Sequence, residues 1–247
     1  MDIIAGTALS LGWATSETMV IGENVDNLIR VALEIGPKGK KVVAVAPDWP
    51  GLERGAKTGE AAIERLLSYM PRYVPVAKLA GMEQDFASIT AVDVVERYPG
   101  VGSTDFWGIS FAFSAIDRQA LPGEALQREM ALMRACWTFF DAVRSRVSAG
   151  MQLGPRGGGR DRDRIVRHTF AAELDWARKL GLLTPLDEML TPEGLRAHRD
   201  AYCDAIRAFH AEDKMARSWP LRYLIRHTAY HSLDHAWEME DKDLTAI

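Results

Sequence analysis

The apolar period changes once along this chain, and that change constrains most of what it can fold into. After Pro122-Gly123, the residues Leu126, Met130, Met133, Trp137 and Phe140 step by four, three, four and three, the spacing that lines one face of a helix with bulky side chains. The helical period then persists. A glycine-rich, arginine-bearing stretch from Gly150 to Arg160 interrupts it; a second helix is expected at about Asp161 to Leu180, a third from Thr191-Pro192 to about Asp213, and a fourth from Pro220 to about Asp241. Thr191 can cap the third helix through its hydroxyl, and Pro192 suits the first helical position because its missing N–H has no partner to lose there. Four helices with connectors of moderate length predict an up-and-down-type bundle, with room for a longer crossing connection.

Ahead of that boundary the pattern is mixed. Val31, Leu33 and Ile35 alternate with Arg30, Ala32 and Glu34, and Pro37-Lys38-Gly39-Lys40 separates them from Lys41-Val-Val-Ala-Val-Ala46, so a β-hairpin is the simplest reading. Thr58 is placed to cap a helix through Ala61, Ile63, Leu66, Leu67, Tyr73 and Val76 that Gly81 ends. Ile89 to Tyr98 reads as a further strand closed by Pro99-Gly100. The expected class is therefore α+β, with a smaller α+β unit over residues 1–120 and a helical unit over 121–247.

The chain has 247 residues of which 47% are hydrophobic, enough for a substantial core. Its net charge of −4 argues against a nucleic-acid surface spread over the whole chain. No apolar run reaches about 18 residues and no signal-peptide pattern opens the sequence, so no membrane partner and a cytoplasmic location are expected. The two cysteines, Cys136 and Cys203, sit in helical stretches without a CxxC pair, and both are read as small core residues.

Function is concentrated near the C-terminus, where His227, His231 and His235 follow one another at four-residue steps. An i, i+4 pair on a helix projects from one face, close enough for two imidazoles to share a metal ion. A third ligand must come from elsewhere. His168 is the natural candidate, beside the inner stripe of Ile165, Thr169, Ala172 and Trp176. His198 and His210 are rivals in a polar, charged segment, where solvated or capping roles are expected. Helical geometry serves His227/His231 as well as His231/His235. Glu238 and Asp234 lie one turn or less from these histidines and are candidates to orient a ring, add a ligand or move protons, against the plainer alternative of a salt bridge to arginine. Three imidazoles suit Zn, Ni or Fe alike and leave a coordination position open, as catalytic metal sites do.

With these residues in view, the segment 123–241 resembles the DinB-like (DinB/YfiT) superfamily of four-helix metalloenzymes. The resemblance rests on His168 in the second helix and on His231-Ser-Leu-Asp-His235 in the fourth. It implies a divalent metal held by His168, His231 and His235, with a small-molecule substrate. A bacterial subgroup is similar at Gly154-Pro-Arg-Gly-Gly-Gly-Arg-Asp161, at Leu233-Asp-His-Ala-Trp-Glu238, at Asp48-Trp-Pro-Gly51 and at Lys57-Thr-Gly-Glu-Ala61. Where many relatives carry glutamine one turn after the second histidine of the pair, this chain has Glu238.

Characterised members include transferases and isomerases dependent on low-molecular-weight thiols, so transfer involving a small thiol and metal-assisted hydrolysis are the implied reactions. The alternative is a non-enzymatic binding or regulatory protein, with a structural metal or none. The glycine-rich loop lacks the Lys-Ser/Thr of a P-loop and reads as a connector, although Arg156 and Arg160 are candidates to meet an anionic group of a substrate or cofactor. The N-terminal hairpin is weakly similar in outline to the HicB-type fold of antitoxin partners; a lid, a homodimer surface or a pocket wall is the preferred role.

Overall fold

The computed structural model describes residues 18–19, 27–154 and 157–245. It is a mixed α+β structure. Five strands form one sheet: β1 (Thr18–Met19), β2 (Leu28–Ile35), β3 (Val42–Val45), β4 (Glu53–Ala56) and β5 (Ala91–Pro99), in the order β1-β5-β2-β3-β4. The hairpin is present, with Ile35 opposite Val42 and Gly39 at φ +59° in the turn. β5 pairs parallel to β2, because the chain crosses back through α1 (Gly59–Leu79) and α2 (Glu83–Ala87) before it re-enters the sheet. The Thr58 hydroxyl caps α1 by accepting from the Ala61 N–H at 3.2 Å, and Gly81 follows the helix at φ +74°.

The expected alternation along β2 holds only in part. Val31 and Leu33 are buried as expected, but so are Ala32 and Glu34 on the other face. The short α3 (Gly102–Trp107) and the irregular residues 108–117 cover that face. They enclose the Glu34 carboxylate with the hydroxyls of Thr104 at 2.5 Å and Ser110 at 2.7 Å, and Tyr98 of β5 adds its own at 3.2 Å. The backbone N–H groups of Phe111 and Ala112 complete the cage at 3.1 and 3.2 Å.

The long helices of the second half fall close to where periodicity puts them: α4 (Gly123–Arg146), α5 (Arg162–Ala177), α7 (Pro192–Ala211) and α8 (Leu221–Asp241), with the one-turn α6 (Leu186–Met189) before α7. α4 and α8 lie side by side along much of their length, and α5 packs on α8. α7 joins them through Trp137 against Tyr202 and a hydrogen bond between the Tyr202 and Thr228 hydroxyls at 3.0 Å. Among the described residues no helix is long and apolar enough to cross a membrane.

One apolar core runs across the boundary at residue 120, from Ile29, Trp49 and Leu66 to Met133, Leu224 and Trp237. A second, smaller core gathers Phe140, Ile165, Phe170, Leu174 and Met239 between α4, α5 and α8. Both cysteines are fully buried, as expected. The half of α8 that carries His231 and His235 lies between these two cores, with α5 beside it.

Candidate metal centre

α5 and α8 bring the three expected histidines together. Asp161 starts α5 by accepting from the Arg164 N–H at 2.7 Å, which places His168 two turns into the helix, against α8. The His168 ring centroid lies 5.2 Å from that of His231 and 5.0 Å from that of His235, and the last two are 4.5 Å apart. One nitrogen from each ring falls within 4.8 Å of the others. Nitrogens around a tetrahedral zinc at about 2.0–2.1 Å stand roughly 3.4 Å apart, a spacing that small rotations of the rings can reach.

His235 is the most firmly oriented of the three. Its Nδ1 lies 2.7 Å from Glu238 Oε2. An ionised carboxylate only accepts, so this bond fixes the ring proton on Nδ1 and leaves the Nε2 lone pair free to meet a metal. Glu238 is itself clamped: Lys242 Nζ donates to Oε1 at 2.6 Å and Arg160 Nη2 donates to Oε2 at 3.0 Å. Burial works to raise its pKa, but the bonds from His235 and Lys242 and the nearby Arg160 charge prevail and hold it at about 2. Glu238 therefore serves as a permanent acceptor over the physiological range.

The other two rings are biased toward the neutral form that binds metals. Burial, followed by the charges of His235, His227 and His168, holds the His231 pKa well below the usual histidine range. Burial, His235 and Arg160 lower that of His168. His231 Nδ1 is buried and has no partner among the described residues. His168 is exposed, so the cluster opens to solvent at that residue. Trp176, two turns further along α5, closes the cluster toward the start of α8, edge-on to His231 at 5.1 Å and to His227 at 4.9 Å.

The choice of pair along α8 is decided by position. His227, one turn earlier, sits in an aromatic box, stacked on Tyr223 at 5.1 Å and flanked by Trp176 at 4.9 Å, Trp219 at 5.6 Å and Phe111 at 5.9 Å. Burial there pushes its pKa down to about 3. It is not a member of the cluster.

The rivals on α7 are also placed elsewhere. His198 is buried rather than solvated, with Nδ1 2.8 Å from Thr184 Oγ1, and His210 Nε2 lies 2.6 Å from the Leu121 carbonyl oxygen.

Two further expectations need correction or restriction. Asp234 is not a member of the cluster; its Oδ1 accepts from Arg54 Nη1 at 3.2 Å, the salt bridge to arginine that is the plainer alternative. Arg160 does stand at the site, but paired with Glu238. Arg156 lies outside the described residues. Lys242 and the wall formed by Trp176 were not singled out from sequence as parts of the site. The i, i+4 spacing of Glu238 and Lys242 is a legible signal for that pair, whereas the place of Trp176 at the cluster depends on how α5 packs on α8.

No family model, curated protein or solved structure matches the chain.

Proposed function

We propose that this protein is a divalent-metal-dependent enzyme of the DinB-like type, in which α4, α5, α7 and α8 act as the four-helix bundle and the strand-bearing half supports it. The observation that carries this reading is the grip of Glu238 on His235 Nδ1 within a three-histidine cluster. A carboxylate that fixes the tautomer and direction of a ring, and is itself held by two cations, is the arrangement that supports metal-ligating histidines. His168, His231 and His235 would hold the ion. When bound in such a site with a position open, a divalent cation supplies Lewis acidity that brings the pKa of water or of a thiol toward neutrality.

The chain's own residues define the rest of the chemistry. The exposed His168 is the approach for a small-molecule substrate, because Trp176 and the aromatic box around His227 close the cluster toward the start of α8. Arg160 and Lys242 keep Glu238 ionised and so keep the proton on His235 Nδ1. Cys136 and Cys203 are too deeply buried to act as nucleophiles, and burial raises both thiol pKa values. A thiol reactant is therefore supplied from solution, as the resemblance to small-thiol transferases implies; metal-assisted hydrolysis uses the same open position.

The test is metal content by mass spectrometry and titration with Zn, Ni and Fe, on the full chain and on His168→Ala and His235→Ala. The expected result is one ion per chain, lost in each variant, with cooperative unfolding retained. A closed structural site would instead take the fold away with the ion. Absence of stoichiometric binding in the titrated wild-type protein overturns the proposal.

A further inference from the structure

Two aromatic residues of the short α3 stand in solvent. Phe106 is 70% exposed and Trp107 61% exposed, with their rings edge-on at 4.5 Å, and Val101 just ahead of the helix is 44% exposed. Apolar residues scattered singly over a surface need no explanation, but adjacent ones that pack on each other in solvent do.

The segment that carries them is firmly held. Asp105, the residue before Phe106, accepts from the N–H groups of Lys38, Lys40 and Lys41, and the Thr104 hydroxyl donates to Glu34 at 2.5 Å. Lys41 Nζ donates to the Phe106 carbonyl oxygen at 3.1 Å. Gly108 ends the helix at φ +70°, packed so closely on β4 that a Cβ on Gly55 would stand 2.2 Å from its oxygen. A braced turn, rather than a loose loop, presents Phe106 and Trp107 to solvent.

The same bonds set the charge around the pair, because they bring the β2–β3 turn and its three lysines against α3. Lys38 and Lys40 are exposed, and neither has a salt bridge among the described residues. Asp105 is the one acidic residue in segments 36–41 and 99–110, so positive charge is in excess here. The apolar area is small. Phe106, Trp107 and Val101 together offer roughly 300 Å², well short of the ~800 Å² that each partner brings to a stable protein interface. A second copy docked by the same face would also set lysines against lysines. A bilayer needs neither a large area nor a matching pocket. Aromatic rings enter its headgroup boundary, and lysines within a Debye length of about 8 Å are drawn to anionic headgroups.

We propose that Phe106 and Trp107, flanked by Lys38 and Lys40, dock this protein on the surface of a bilayer that contains anionic lipid. The net charge of −4 opposes a general attraction to such a surface, so contact is confined to this face. The lack of a membrane-crossing helix among the described residues bears on spanning a bilayer, not on docking to its surface; here the proposal departs from the expectation drawn from sequence.

The experiment is cosedimentation of the full chain with vesicles of equimolar phosphatidylcholine and phosphatidylglycerol, and with vesicles of phosphatidylcholine alone. Expected are binding to the first and at least about tenfold weaker binding to the second. A lysine near an anionic surface is worth about fivefold in affinity, so Lys38→Gln/Lys40→Gln should weaken binding by about 25-fold. Phe106→Ala/Trp107→Ala should weaken it by about tenfold or more, and both variants should keep the wild-type unfolding midpoint. Lipid brominated on its acyl chains should quench part of the tryptophan fluorescence, and less of it in Trp107→Phe. No binding to the mixed vesicles, equal binding to both kinds, or full binding by Phe106→Ala/Trp107→Ala overturns the proposal. So does a dimer by light scattering that this variant dissociates, which assigns the patch to a second copy. If that variant does not fold, the lysine substitutions and the quenching by brominated lipid decide.

Discussion

Glu238 does its work through a single hydrogen bond, and the value of that bond depends on charge. Glutamine in its place keeps the size and can still accept from His235 Nδ1–H, but it removes the negative charge that strengthens the bond and that Arg160 and Lys242 balance. Loss of such outer support at metal sites commonly weakens metal affinity by about 10- to 100-fold. Glu238→Gln is therefore expected to lower the affinity for Zn by that factor while leaving the melting temperature of the metal-free protein nearly unchanged, because Glu238 lies near a helix end and outside both cores. Competition titration against a chromogenic chelator measures it. An affinity equal to wild type would show that His235 needs no such support. The histidine steps and the position of Glu238 were legible in the sequence because one helix carries them all. The partner of Asp234 was not legible in the same way, because Arg54 lies 180 residues away in the sequence.

At the scale of elements, α8 is where the separate structures of this protein meet. It carries Arg222 paired with Glu129, Arg226 in a buried charge network, His227 in the aromatic box, and His231 and His235 in the cluster. Its start after Pro220 and its length could be read from the sequence because the helical period is unbroken. The segment 100–117 could not be read in the same way. α3 has no apolar periodicity and is held by tertiary contacts, as when the Asp105 carboxylate accepts from the N–H groups of Lys38, Lys40 and Lys41 at 2.7, 2.8 and 3.2 Å. The contact of the β3–β4 turn with the helices is equally non-local. Gly51 there has φ +97°, and a Cβ on it would stand 3.1 Å from Cys136 Sγ and 3.3 Å from Leu233 Cδ2. Backbone conformation and space both oppose a side chain at this point. Gly51→Ala is expected to destabilise the fold by about 1–3 kcal/mol, read as a lower urea midpoint with an unchanged slope; a midpoint at or above that of wild type would show that the turn and helices adjust freely.

Across the whole molecule, the two halves are joined by apolar core and by buried charge. Arg226 reaches from α8 into the strand-bearing half, donating to both oxygens of Asp117 at 2.8 Å and to Glu53 Oε2 at 3.2 Å. Glu53 Oε1 has no partner among the described residues. Burial raises the Glu53 pKa to about 8; the Glu34 charge adds to the rise, and Arg226 opposes it. The folded protein therefore holds a proton on Glu53 that the unfolded chain releases near its ordinary pKa of about 4.3. In that interval the native state binds more protons, so stability falls with rising pH. This contribution is complete below about pH 4.3 and is lost as pH rises through about 8. Asp117 has the opposite sign. Although burial raises its pKa, Arg226 and Ser114 outweigh that effect and lower it, so its contribution is present above the unfolded pKa and is lost as pH falls through the folded one. The two effects separate into the neutral-to-alkaline and acid ranges. Glu53→Gln keeps the shape, cannot ionise, and is expected to remove the decline between about pH 5 and 8, making the variant at least as stable as wild type at the upper end. Urea unfolding at intervals of one pH unit tests this; an equally steep decline in both proteins would assign it to another group.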